Sequence, residues 1–288
     1  MTTNTIEDAV RRVVEYMHVN LGQNLTIDDM ARTAMFSKFH FTRIFREVTG
    51  TSPGRFLSAL RIQEAKRLLV HTALSVADIS SQVGYSSVGT FSSRFKACVG
   101  LSPSAYRDFG GVQPGFPSAA ARLTPTAHNL SVRGRIHSAP GDRPGRIFVG
   151  LFPGRMRQGR PARWTIMESP GAFELRDVPV GTWHILVHSF PAGHRPHQLD
   201  SEPLLLGHSG PLVVHPGALL RPADILLRAV DALDPPVLLA HFALESRLTS
   251  PYSPSSVALR ASAGRAWVRQ PPGVRRRYAD RDRGSPGP

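Results

Sequence analysis

The chain has 288 residues, a formal net charge of +14 and a single cysteine, Cys98. That length allows one large or two medium domains plus tails, and the positive balance favours polyanions over acidic partners. One cysteine excludes an intrachain disulfide and a thiolate metal cluster and fits a reducing compartment. No signal peptide and no apolar run of membrane-spanning length is seen, so the expectation is a cytoplasmic protein with no membrane partner. The surplus charge is spread along the chain, so charge alone does not single out a nucleic-acid-binding stretch. All basic residues except Lys38, Lys66 and Lys96 are arginine.

Thr5-Ile6-Glu7-Asp8 reads as a helix start with Thr5 as cap, and Ala9, Val10, Val13, Val14 and Met17 then fall on one helical face. Gly22 and Asn24 end it. Thr26-Ile27-Asp28-Asp29 opens a short second helix that runs through Met30, Ala34 and Met35 into Ser37. Ser37 caps a third helix, about 38–49, with Phe41, Ile44, Phe45 and Val48 as its buried stripe and Gly50 as its end. Two short helices around a tight turn form a helix-turn-helix candidate. Ser52-Pro53 supplies a cap and a proline at the first helical position of a fourth helix, which runs to about Val70. Its apolar residues Phe56, Leu57, Leu60, Ile62, Ala65, Leu68 and Leu69 cover more than one stripe, which predicts packing against a unit on each side.

The unit then repeats. Phe41, Phe45, Gly50, Ser52-Pro53 and Phe56 match Phe91, Phe95, Gly100, Ser102-Pro103 and Tyr106 at an offset of fifty positions. Ser75-Val76-Ala77-Asp78 opens the second short helix, Gly84 makes its turn, and Ser86 or Ser87 caps a recognition helix at about 87–98. A final short helix follows Ser102-Pro103. The sum is an all-α N-terminal domain of seven helices with two helix-turn-helix units, residues 1–110.

Residues 5–109 resemble the DNA-binding domain of the AraC/XylS family of transcription regulators. The resemblance is carried by Arg61, Ala65, Leu68 and Leu69, by Asp78-Ile79 and Gly84-Tyr85, and by Phe91, Phe95-Lys96, Gly100, Ser102-Pro103 and Tyr106-Arg107. It implies two recognition helices in successive major grooves of double-stranded DNA, with RNA polymerase as a further partner. In the first copy it implies base reading by Phe39, Thr42 and Arg43. Arginine can contact guanine bidentately and phenylalanine can touch a thymine methyl. Ser37, Lys38, His40 and Arg46 are placed for phosphates. In the second copy the matching base-reading positions are Val88, Gly89, Thr90 and Ser93, with Ser87, Arg94 and Lys96 near phosphates. Serine reaches less far than arginine, so the first unit is expected to supply most of the discrimination. By composition alone, the same residues would be a solvated helix face. Cys98 reads as a half-buried filler.

Gly110-Gly111, Pro114-Gly115 and Pro117 mark a linker at 111–127, after which apolar alternation replaces helical spacing. Strand readings fall at Leu130–Ile136, Ile147–Leu151, Trp164–Ile166, Phe173–Leu175, Trp183–Val187, Leu204–Leu206, Leu212–Val214 and Ile225–Leu227. This predicts an all-β sandwich at 128–232, and a multi-domain chain overall. The stretch Gly171–Trp183 is similar to carboxypeptidase-regulatory-like β-sandwich modules, which bind or brace. A small-molecule effector at the sandwich is the corresponding partner.

Eight histidines lie in this half: His128, His137, His184, His188, His194, His197, His208 and His215. His184 and His188 share a strand face, and no acidic residue lies between His184 and His197. That pattern reads as an exposed strand face rather than a metal or catalytic site, so no metal, cofactor or catalytic residue is assigned. After Pro235-Pro236, Val237–Leu244 fits a short helix or an extra strand. The rest of 233–288, including Arg275-Arg276-Arg277, reads as a mostly disordered basic tail. The leading function is a bacterial-type, sequence-specific transcription regulator that is not an enzyme. A non-specific architectural DNA binder and a DNA-directed enzyme are the alternatives, and the latter lacks an activated nucleophile beside Cys98.

Overall fold

A computed structural model of the protein describes residues 3–113, 130–190 and 205–242. The linker from 114 on, His128, His194, His197, Leu204 and the Arg-rich tail lie outside the described residues. The seven helices are α1 (Thr3–Val19), α2 (Ile27–Thr33), α3 (Lys38–Thr49), α4 (Pro53–His71), α5 (Val76–Gln82), α6 (Val88–Val99) and α7 (Pro103–Asp108). Thr5 lies inside α1 rather than at its cap, and the helix ends at Val19, before Gly22. Ser87, not Ser86, caps α6. Ser52 precedes Pro53 without a side-chain capping bond.

The two short helices start alike. Thr26 Oγ1 accepts from the Asp29 amide at 3.2 Å while Asp29 Oδ2 accepts from the Thr26 amide at 3.0 Å. Ser75 and Asp78 repeat that capping box at 3.1 and 3.3 Å. Each unit builds its own aromatic cluster. Phe41, Phe45 and Phe56 meet edge-on at 5.5 Å between successive rings. Phe91, Phe95 and Tyr106 meet at 5.7 and 5.5 Å. Helix α4 serves both cores, as its double stripe predicts: Phe56, Leu57 and Leu60 face the first, and Ala59, Ile62, Ala65, Leu68 and Leu69 the second.

Arg61 of α4 ties the loop between α1 and α2 to the turn of the second unit. Its guanidinium donates to the carbonyls of Leu21 at 2.9 Å and Gln23 at 2.6 Å, and lies 6.0 Å from the Tyr85 ring. Gly84 has φ +83, and a Cβ there would sit 2.5 Å from the Leu21 carbonyl oxygen and 2.7 Å from the Arg61 guanidinium. Left-handed backbone alone disfavours other residues by about 1–2 kcal/mol. Gly84→Ala is therefore expected to lower the urea midpoint with an unchanged m-value, by at least that free energy. An unaltered midpoint would contradict the close approach of Gly84 to the α1–α2 loop.

The β half has two sheets. One is ordered β5 (Ala172–Leu175), β2 (Val132–His137), β8 (Ala223–Leu226). The other is ordered β4 (Arg163–Met167), β3 (Arg146–Phe152), β6 (Gly181–Phe190), β7 (Leu205–Val214), β9 (Arg228–Ala229). Val132, Ile136 and Phe173 of the first share a core with Ile147, Val149, Leu151, Ile185 and Val187 of the second. Leu205 and Leu206, read apart from Leu212–Val214, belong with them to one strand, β7, because its pairing with β6 continues on both sides of Ser209. A two-residue strand, β1 (Val112–Gln113), pairs in parallel with β10 (His241–Phe242).

The other face of the larger sheet is also covered. Phe148, Phe152 and Leu186 pack with Leu239, and every residue of β3 after Arg146 is buried. His184 and His188 do share this face, opposite Phe152 and Phe148. The expected exposure does not hold, because His188 is only 1% exposed, its ring tilted against that of Phe148 at 4.9 Å. From Val237 to Ala240 the chain is neither helix nor strand, and it becomes β10 at His241.

Helices and sheets share a core through two segments. Met156, Leu238 and Ala240 enter the second helical cluster beside Phe91 and Phe95. The Gly159 amide donates to the Cys98 carbonyl at 2.7 Å, and the Ala240 amide to the Val99 carbonyl at 3.2 Å. Buried Lys66 donates from Nζ to the carbonyls of Val237 at 3.2 Å and Leu239 at 3.1 Å. Cys98 is 4% exposed, its thiol donates to Gln158 Oε1 at 3.3 Å, and burial pushes its pKa up. It is a packed core residue, more buried than the half-buried filler expected, and not an activated nucleophile.

Candidate nucleic-acid interface

Helix α3 buries Phe41, Ile44 and Phe45, which turns the intervening positions outward. Phe39 is 89% exposed and Arg43 and Arg46 are exposed, with Thr42 half-buried beside them. The Ser37 hydroxyl accepts from the His40 amide at 3.4 Å, so its oxygen is occupied at the helix start. Lys38 Nζ reaches Asp28 at 2.9 Å. Arg43 pairs with Glu47 at 3.1 Å and lies 3.5 Å from His40 Nδ1. Thr42 Oγ1 donates back to the Lys38 carbonyl at 2.8 Å, leaving its methyl and lone pairs for a ligand.

Helix α6 presents shorter groups. Val88, Gly89, Thr90 and Ser93 are exposed, as are Ser87 and Lys96. Ser87 caps the helix by accepting from the Thr90 amide at 3.4 Å. Arg94 is also exposed, but its Nε donates to Ser58 Oγ on α4 at 3.3 Å. Arg94, next to Ser93, is thus turned toward the linker helix.

The polar face of α3 borders an open groove of about 1430 Å³. Its other margins include Arg55 at the start of α4, Pro153, Gly154 and Arg155 of the loop after β3, and His184 of β6. Arg55 and Arg155 were missed in sequence. Arg55 lies on the exposed side of a helix whose apolar stripes drew the reading. Arg155 sits in a Pro-Gly turn that marks a loop without saying where it points. Arg155 Nη2 lies 2.7 Å from His208 Nε2. Burial first, then the charges of Arg155 and Arg157, lower the His208 pKa, which keeps the ring neutral and able to accept.

Two ion pairs brace the chain after β9. Arg228 grips Asp234 at 2.6 and 2.7 Å, and Arg11 of α1 reaches Asp231 at 3.1 Å. Burial opposes ionisation of Asp234, but the Arg228 hydrogen bonds and the Asp231 amide outweigh it, so its pKa is lowered. The Leu233 amide lowers that of Asp231, against burial and with help from Arg11. A carboxyl depressed in the folded state stabilises above its unfolded pKa of about 3.9, and that stabilisation disappears as pH falls through the folded value. Thermal unfolding should therefore show a drop in Tm below about pH 4 that is shallower in Asp234→Asn. Parallel curves for the two proteins would contradict this.

Among the described residues no helix is long and apolar enough to cross a membrane, and no three His, Cys, Asp or Glu side chains group as a metal site.

Two helix-turn-helix units joined by one shared, buried helix define a DNA-binding class of protein. A family model described as a helix-turn-helix domain matches residues 30–108. The chain is 36% identical over 98 residues to the HTH-type transcriptional activator AarP of Providencia stuartii, covering 34% of this chain and 73% of that protein. It is 30% identical over 102 residues to the lactose operon transcription activator of Staphylococcus xylosus, covering 35% of this chain but only 37% of that relative. The solved DNA-binding domain of AdpA, in complex with a target DNA, is 30% identical, with 35% of this chain and 90% of that one covered and a TM-score of 0.34. The chain belongs to the AraC family of helix-turn-helix DNA-binding transcription regulators.

Proposed function

We propose that this regulator reads a discrete DNA site by placing α3 and α6 in successive major grooves, with α3 supplying most of the sequence discrimination. The observation that carries this reading is the inequality of the two exposed faces. Helix α3 offers Phe39, Thr42 and Arg43, with Arg46 beside them, whereas α6 offers Val88, Gly89, Thr90 and Ser93. Lys38, His40, Arg46, Lys96 and Arg94 then hold phosphates, with Ser37 and Ser87 at the helix starts. Helix α4 has 19 residues, roughly 28 Å of axis, against roughly 34 Å between grooves on one face of the duplex. One chain can therefore serve both.

The similarity to an activator of a lactose operon and to the activator AarP supports action on transcription, with RNA polymerase as second partner in the cytoplasm. Residues 128–232, whose Gly171–Trp183 stretch is similar to carboxypeptidase-regulatory-like modules, serve as a bracing and effector-responsive half. Footprinting of the full chain on a bound fragment tests the reading. Protection of one site of about two helical turns is expected. Uniform protection, or none, would instead favour a non-specific architectural binder.

A further inference from the structure

Between the helices and the sheets, on the side of the C-terminal end of α3, lies a second cleft of about 870 Å³. Its walls include Glu47 and Thr49 of α3, Arg155 and Arg157 of the loop after β3, and His208 of β7. Four carboxylates face it, and three are already engaged: Glu47 by Arg43, Asp231 by Arg11 and Asp234 by Arg228. Glu7 of α1 is the fourth. The cations divide differently. Neither Arg155 nor Arg157 has an ion-pair partner among the described residues.

Arg157 is the sharper anomaly. It is 4% exposed, and its Nη2 donates to two neutral carbonyls, Val187 at 3.1 Å and Gly207 at 2.9 Å. Among the described residues its buried Nε has no hydrogen-bond partner. Burial pulls its pKa down to about 10, against the attraction of Asp234. A buried guanidinium whose hydrogen bonds go to neutral carbonyls, with its nearest carboxylate already gripped by Arg228, carries a heavy desolvation penalty, and arginine is suited to bidentate recognition of a carboxylate or phosphate. A DNA phosphate on an intact duplex does not reach a side chain at that depth, whereas a small molecule in the cleft does.

We propose that this cleft binds a small oxyanion, a carboxylate- or phosphate-bearing metabolite, whose charged group is held by Arg157 and Arg155. Arg155 also lines the groove along α3, and Glu47 of the cleft is the ion-pair partner of Arg43. The ligand is thus read by residues that border the DNA-reading face, and its occupancy alters DNA affinity. This coupling rests on the DNA reading proposed above, but the anion site itself does not.

Titration calorimetry of the full chain without DNA, using sodium phosphate and sodium citrate against chloride at matched ionic strength, separates the two. Saturable binding of at least one probe is expected, weakened about tenfold or more in Arg157→Met and in Arg155→Ala. Arg155 is half-buried, so its variant decides the matter if Arg157→Met does not fold. Absence of saturable heat with either probe, or unchanged affinity in Arg155→Ala, overturns the site. Normal anion binding with unaltered DNA affinity overturns the coupling alone, and loss of DNA binding with no anion present counts against the DNA reading instead.

Discussion

Phe95→Ala is expected to lower the free energy of unfolding by about 3–5 kcal/mol, the usual range for removing a buried aromatic ring. Phe95 has no exposed surface, and its ring lies 5.7 Å from Phe91 and 5.5 Å from Tyr106. A loss of that size is a large share of the roughly 5–15 kcal/mol that holds a typical domain together. Its distribution is as informative as its size. The cluster around Phe95 contains Met156, Leu238 and Ala240, which the chain supplies after the helical half is complete. Both described tryptophans, Trp164 and Trp183, lie in strands of the larger sheet. Helical circular dichroism and tryptophan fluorescence should therefore shift together in the variant, as coincident transitions do in one cooperative unit. A helical transition that moved while the fluorescence transition stayed would show that the two halves unfold independently.

Arg43→Ala is expected to weaken specific DNA binding by about 1–3 kcal/mol, or roughly 5- to 150-fold. The Arg43–Glu47 pair does not stand in the way of that role. An exposed i,i+4 pair is worth only about 0.3–0.5 kcal/mol, so a guanine edge competes with it easily. Ser93→Ala removes a short hydroxyl from the corresponding region of α6 and should change specific binding by about 0.5 kcal/mol or less. Gel-shift titrations of both variants at one fixed salt concentration give the comparison directly, since phosphate contacts make every affinity salt-dependent. A larger loss from Ser93→Ala than from Arg43→Ala would reverse the assigned order of the two helices.

The helical half was legible because its two copies check each other. Phe41/Phe91, Phe45/Phe95, Gly50/Gly100 and Pro53/Pro103 repeat at one offset, since both copies bury the same stripe and end with a glycine in the left-handed region. The strands were legible from alternation, which reports the face toward the sandwich core. Alternation is silent about what covers the other face, and there the reading of His188 failed. The run Ile147-Phe148-Val149-Gly150-Leu151-Phe152 carried the missing signal, because a strand apolar at nearly every position is buried on both sides. Val237-Leu238-Leu239-Ala240 is too short to show a period, so its place in the helical core could not be read from spacing. The faces of α3 and α6 could be named in sequence, but Arg94 could not be seen to turn toward Ser58. Nor could Arg155 be placed at the edge of the groove, since that depends on contacts between distant parts of the chain.

Repeated selection of fragments bound by the full chain from random DNA tests the account most directly. The expected result is a motif of two half-elements about 10 bp apart, one more strongly specified than the other, with the stronger element losing its preference in Arg43→Ala. Fragments without a shared motif, or a stronger element that survives Arg43→Ala and degrades in Ser93→Ala, would contradict it.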